Sequence, residues 1–227
     1  MIHTHAAVRT IEDLAGPAGR LEALLNTGSP DARYAVLLCH PHPLGGGTMH
    51  NKVVYHAMKA FQSLGLPVLR FNFRGTGLSE GVHDHGRGEQ EDVRAALDWL
   101  DRNLGLPVLF AGFSFGSYVG LRAVCAAVDS KTPRVLGVVA LGLPVHAEGR
   151  DYSYDFLAHC TMPKLFISGA LDQYGPQAKV ESAVASAAPP SEMLWIHGAD
   201  HFFAGKLVEV QEAIRSRVQT WIQSRIS

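Results

Sequence analysis

PVLFAGFSFGSYVGLRAVCAAV, residues Pro107–Val128, is the stretch that decides the fold. Pro107–Phe113 is an unbroken apolar run with the length of a buried strand, and Ser117–Val128 reads as a helix. Between them stands Gly112-Phe113-Ser114-Phe115-Gly116, a GxSxG pattern with no loop residues to spare. The strand must therefore turn straight into the helix. Such a turn puts the serine in a strained conformation, and glycine two residues to either side removes Cβ atoms that would collide as strand and helix converge. The hydroxyl is left exposed at a helix N-terminus, where the dipole and free N–H groups favour developing negative charge. This is the nucleophile-elbow arrangement.

Apolar and amphipathic runs alternate outward from this point. Two extended runs, about Ala7 to Asp13 and Arg20 to Leu25, flank Gly16, Pro17 and Gly19 and read as an antiparallel hairpin. Tyr34–Cys39, Pro67–Phe73, Val135–Leu141, Lys164–Ser168 and Met193–Ile196 read as further buried strands. Helical spacing appears in Val54, Ala57, Phe61 and Leu64, in Val93, Leu97, Leu100 and Leu104, and in Leu207, Val210, Ile214, Val218 and Trp221. This alternation predicts a mostly parallel eight-stranded sheet with helices on both faces. No linker or repeat interrupts it, so residues 1–227 are expected to form a single domain.

Functional groups in such sheets sit in loops at the carboxyl ends of strands. A second GxSxG, Gly77-Leu78-Ser79-Glu80-Gly81, lies past its strand and runs into GVHDHGRG, which makes no helix; Ser79 reads as a turn residue. Serine needs a base to take its proton and a third group to orient that base. In this topology the acid comes next in the chain and the histidine last. Asp172 lies in SGALDQYGP, just past the strand Lys164–Ser168. Asp129 reads as a surface cap, Asp151 and Asp155 as part of a polar stretch covering the site, and Asp200 as a backbone neighbour of the histidine. His201 lies in GADHFF, after the last strand and before the last helix, whereas its rival His197 ends the strand itself.

Composition narrows the function classes. Of 227 residues, 47% are hydrophobic and 18% charged, which is globular rather than disordered, and a net charge of −1 offers no basic field for nucleic acid or membrane. The N-terminus lacks a secretory pattern and no stretch reaches about 18 uninterrupted apolar residues, so a cytoplasmic protein is expected. Cys39, Cys125 and Cys160 are odd in number and lack metal or redox spacing, so they are expected to be reduced thiols. His40, His42, His50, His83 and His85 come from different loops without a carboxylate or cysteine at ligand spacing, and no metal is expected.

Cys39–Met49 (CHPHPLGGGTM), Phe71–Gly81 (FNFRGTGLSEG) and Gly198–Phe203 (GADHFF) match together with the GxSxG at Ser114. With these segments the chain, from about Tyr34 onward, resembles the α/β-hydrolases, and more narrowly the small lidless bacterial serine hydrolases related to dienelactone hydrolases. In dienelactone hydrolases the elbow nucleophile is cysteine; serine at position 114 points instead to esterase chemistry. The resemblance implies a Ser114–His201–Asp172 triad, no cofactor and a small-molecule ester substrate. An oxyanion hole needs one backbone N–H from Phe115 and one from the HPHP loop. Pro41 and Pro43 have none, leaving Leu44, with His42 as the alternative. Only Gly142 to Met162 is available for a lid, room for one short helix around Tyr154–Ala158, so no sizeable lid is expected. His42, Phe113, Leu143, Tyr174 and Phe202 are candidate substrate-lining residues. Lactone or thioester hydrolysis and acyl transfer would use the same residues. A non-catalytic binding module of this fold would usually have lost a triad member, and homodimer formation is left open.

Overall fold

The chain enters its sheet through an antiparallel edge. The computed structural model describes residues 7–125, 135–147 and 149–224. Strand β1 (Val8–Ile11) is followed by a small hairpin, β2 (Ala15–Gly16) and β3 (Gly19–Arg20), and then by β4 (Ala23–Asn26), which pairs back onto β1. Next come β5 (Ala35–Cys39), α1 (Lys52–Gln62), β6 (Val68–Phe71), α2 (Gly88–Leu104), β7 (Val108–Phe113) and α3 (Phe115–Cys125). After β8 (Val135–Leu141), a short hairpin of β9 (His146–Ala147) and β10 (Arg150–Asp151) precedes a 3-10 turn at Asp155–His159. The chain then forms β11 (Lys164–Gly169), α4 (Gln177–Val184), β12 (Ser191–Ile196) and α5 (Leu207–Ser224).

The eight-stranded sheet has the order β1-β4-β6-β5-β7-β8-β11-β12. Pairings from β6 to β12 are parallel, and those of β4 with β1 and β6 are antiparallel. Side chains of β7 alternate between two cores: Val108 and Phe110 pack with α2 and α3, and Leu109, Ala111 and Phe113 with α1 and α5. The prolines explain where the strands begin. Pro67 and Pro107 have no N–H to donate, but their carbonyls accept from Val36 and Ala35 and so lead into the ladder.

The chain leaves β5 toward β6 on one side and returns to β7 on the other. That reversal opens a crevice at the carboxyl ends of β5 and β7, the usual place for a ligand in an open α/β sheet.

Two differences from the sequence reading concern this frame. Helix α4 went unforeseen because Val180 is its only buried residue and leaves little periodic signal. The three thiols are not all free: Cys125 and Cys160 form a disulfide, while Cys39 is free and buried. These two cysteines are 35 residues apart in sequence, but the end of α3 and the segment before β11 meet with their Cα atoms 5.1 Å apart. The expected end of the third helix at Val128 falls outside the described residues.

Candidate active site

Ser114 sits between β7 and α3 with φ +54, the left-handed region that non-glycine residues avoid at a cost of about 1–2 kcal/mol. The strain is held by its surroundings. Its N–H donates to the Leu141 carbonyl at 2.8 Å, and the Ser117 hydroxyl donates to its carbonyl at 2.6 Å. The flanking glycines are required by contact. A Cβ at Gly112 would lie 2.6 Å from the Gly116 carbonyl oxygen, and one at Gly116 would lie 2.3 Å from that of His40.

The Ser114 hydroxyl is 2.9 Å from His201 Nε2, and His201 Nδ1 is 2.7 Å from Asp172 Oδ2. The other Asp172 oxygen accepts from the Tyr174 and Gly175 amides at 2.8 and 3.0 Å. An ionised carboxylate only accepts, so Nδ1 carries the imidazole proton and Nε2 is left to accept from the serine. All three side chains are buried. His201 is held in place by Phe113 behind it at 5.1 Å and by Tyr174 and Phe202 edge-on at 4.8 and 5.2 Å. The arrangement can pass a proton from hydroxyl to imidazole and hold the resulting cation against a carboxylate.

The loop after β5 forms one wall. His40 is fully buried: its Nδ1–H donates to the Pro41 carbonyl at 2.7 Å and its Nε2 accepts from the Phe73 N–H at 3.0 Å. Burial lowers its pKa to about 3, partly opposed by the Pro41 carbonyl, so it is a neutral bracket tying this loop to the one after β6. Burial also pushes the Cys39 thiol up, with the Asp92 charge adding to the effect. Further along, Met49 is clamped by two side chains of the β6 stretch: its N–H donates to Asn72 at 2.8 Å and its carbonyl accepts from Arg70 at 3.0 Å.

A cleft of about 130 Å³ opens over Ser114. Of the expected lining residues, His42, Tyr174 and Phe202 face it, along with Pro41, the three glycines Gly45–Gly47, Asn51, Ala147 and Tyr152. Phe113 and Leu143 do not: both are completely buried in the core, Phe113 because strand alternation turns it toward α1 and α5. Leu44 also departs from expectation. Its N–H donates to its neighbour's ring, His42 Nδ1, at 3.2 Å within a tight 3-10 turn, and its side chain is 71% exposed. Phe115 is the first residue of α3, so its amide lies in the turn where a helix has no internal acceptor. Tyr152 was foreshadowed only by the polar stretch expected to cover the site; its ring packs on Tyr118 at 4.8 Å. Among the described residues, no three His, Cys, Asp or Glu side chains are grouped as metal ligands, and His83 and His85 stack edge-on at 5.1 Å.

An alpha/beta hydrolase domain model matches residues 32–215. The chain belongs to the α/β-hydrolase family. An uncharacterised protein of Rickettsia prowazekii is 38% identical to it over 92% of this chain and 88% of its own length. Two solved structures are similar throughout. An alpha-beta serine hydrolase homologue from Coxiella burnetii is 36% identical with a TM-score of 0.79, covering 93% of this chain and 96% of its own. An α/β serine hydrolase without a lid from Xanthomonas campestris is 32% identical with a TM-score of 0.79, covering 96% and 95%. Like that structure, this α/β-hydrolase has no sizeable lid among its described residues; β9, β10 and one 3-10 turn fill the place. With these relatives the chain is a hydrolase. No helix among the described residues is long and apolar enough to cross a membrane.

Proposed function

We propose that this α/β-hydrolase is a serine carboxylesterase acting on small to medium esters through an acyl-enzyme. The unbroken hydrogen-bonded chain from Ser114 through His201 to Asp172 carries this reading. His201 takes the Ser114 proton as the oxygen attacks the ester carbonyl, and Asp172 stabilises the imidazolium that forms. The imidazolium then gives its proton to the leaving alcohol. Water, deprotonated by the same histidine, cleaves the acyl-serine and restores the enzyme. The oxyanion is received by the Phe115 N–H and by the His42 peptide on the cleft wall. Leu44 is set aside for this role because its amide is directed at the His42 ring. Removing one such donor typically costs about 10²–10³ in turnover.

A panel of p-nitrophenyl esters of increasing acyl length, run on the wild type and on Ser114→Ala, tests the assignment. Short esters should be cleaved by the wild type alone, and a fluorophosphonate probe should label position 114. Cleavage that survives Ser114→Ala, or labelling elsewhere, removes the basis of the proposal.

A further inference from the structure

Beside the catalytic cleft lies a larger hollow of about 590 Å³. Asn51 and Phe202 line both, so these side chains form a common boundary between the two. Asn51 is fixed there, its Oδ1 capping α1 by accepting from the Val53 N–H at 2.9 Å. Phe202 is 47% exposed and leans edge-on against His201. Past this boundary the hollow runs between the start of α1 and the loop leading into α5. Thr48, His50 and Lys52 make one wall, and Ala204, Gly205 and Leu207 the other. Lys206, in the same loop, is paired with Glu209 at 3.2 Å. Lys52 is exposed and has no ion-pair partner among the described residues.

The inner cleft is far below the roughly 300–1,000 Å³ that encloses a drug-sized ligand. It suits a short group next to the reacting carbonyl, and any longer substrate must continue outward. On one side Tyr152 and Tyr174 stand in the way, backed by Tyr118 and by the turn that binds Asp172. On the other, the wall is glycine from 45 to 47 with Asn51, which also borders the outer hollow.

We propose that the outer hollow is a second subsite, built for the far half of an elongated ester that ends in a carboxylate. Lys52 reads the charge of that half, and Phe202 sets the width through which it passes. This rests on the esterase reading of Ser114 and names the substrate class of that site.

Matched esters test it. Two series of increasing chain length carry a terminal carboxylate on either the acyl half or the alcohol half, each beside a neutral ester of equal length. They are assayed with the wild type, Lys52→Met, Lys52→Glu and Phe202→Trp, at low and high salt. In one series the wild-type ratio of kcat/KM, charged over neutral, should pass through a maximum as the chain lengthens. Lys52→Met should lower that ratio by up to about fivefold, the worth of one exposed ion pair, and Lys52→Glu by more. High salt should shrink the difference between the variants. Phe202→Trp should slow long esters relative to short ones. Lys52→Glu puts an acid in the first turn of α1, where the helix dipole favours it, so the variant should fold. A charged-to-neutral ratio that is the same in wild type and Lys52→Glu at every length overturns the subsite. Fluorophosphonate labelling of Ser114 in the same preparations separates the two readings: labelling without charge discrimination sinks the subsite alone, and absence of labelling sinks the esterase reading.

Discussion

Ser114 and Ser79 each occupy the centre of a GxSxG stretch in the same chain, and their surroundings differ at every level. Ser114 follows directly on β7 and precedes α3, with its hydroxyl directed at an imidazole. Ser79 lies in the irregular loop after β6. Its hydroxyl donates to the Asn72 carbonyl at 2.6 Å and accepts from the Glu22 N–H at 2.9 Å. Both of its hydrogen-bonding roles are filled by main chain, and it staples its loop to the segment before β4. The glycines differ in the same way. Gly112 and Gly116 are needed because backbone lies within 2.6 Å of where their Cβ atoms would be. Gly77 and Gly81 serve a turn, with φ of +56 and +84, and the atoms nearest their Cβ positions belong to side chains, Glu22 Oε2 at 2.4 Å and Ala18 Cβ at 2.7 Å. A short motif carries chemistry only where the backbone on both sides gives its side chain something to react with.

The sharpest way to break this contrast is to delete the two hydroxyls separately. Ser114→Ala should lower kcat/KM for a short ester by on the order of 10⁵–10⁶. Ser79→Ala should leave turnover near wild type and lower stability by about 1–3 kcal/mol in denaturant titration, the cost of unpaired buried groups. A comparable loss of turnover in a folded Ser79→Ala protein would reverse the assignment. Asp172→Asn comes next. With the tautomer of His201 no longer enforced, kcat should fall by about 10⁴ while the fold is retained. The glycines extend the comparison to the backbone. Gly116→Ala should cost about 3 kcal/mol and most of the activity, because the His40 carbonyl has nowhere to go. Gly81→Ala adds left-handed strain of about 1–2 kcal/mol to a 2.7 Å approach to the Ala18 Cβ, so it should cost about 2–4 kcal/mol yet spare turnover. If a folded Gly81→Ala protein loses turnover as Gly116→Ala does, the comparison fails.

The smallest effect near neutral pH belongs to His40, which ties the loop after β5 to the loop that carries Ser79. Its folded pKa of about 3 lies below the 6.5 of the unfolded chain, because burial keeps it neutral. Below pH 6.5 the unfolded chain therefore takes up a proton that the native state refuses. Stability should fall by up to about 1.4 kcal/mol per pH unit as pH drops toward 3, with no contribution above 6.5. Unfolding measured against pH should show a shallower acid slope in His40→Asn than in wild type.

Much of the frame was legible because β7 and its neighbours, buried on both faces, must be apolar throughout, while α1, α2 and α5 must show one apolar face. Ser114, Asp172 and His201 could be singled out because each sits just past a strand end in a fixed chain order. What was not legible depended on direction. Phe113 and Leu143 look like lining residues in a list of large apolar side chains near the elbow, but alternation along β7 sends Phe113 to the core. Leu44 looked like a donor because the prolines beside it are not, and the His42 ring that accepts its N–H is a side-chain conformation with no sequence signature. The Cys125–Cys160 pairing required knowing that the end of α3 meets the segment before β11, a tertiary fact that spacing does not encode.

The turn that follows β11 has a practical consequence. Tyr174 serves the carboxylate of Asp172 through its main-chain nitrogen and the cleft through its ring. Those two contributions come from atoms that substitution treats separately. A mutational library at this codon can therefore reshape the cavity broadly without retuning the acid, with proline the exception, since it alone would take the nitrogen's proton away.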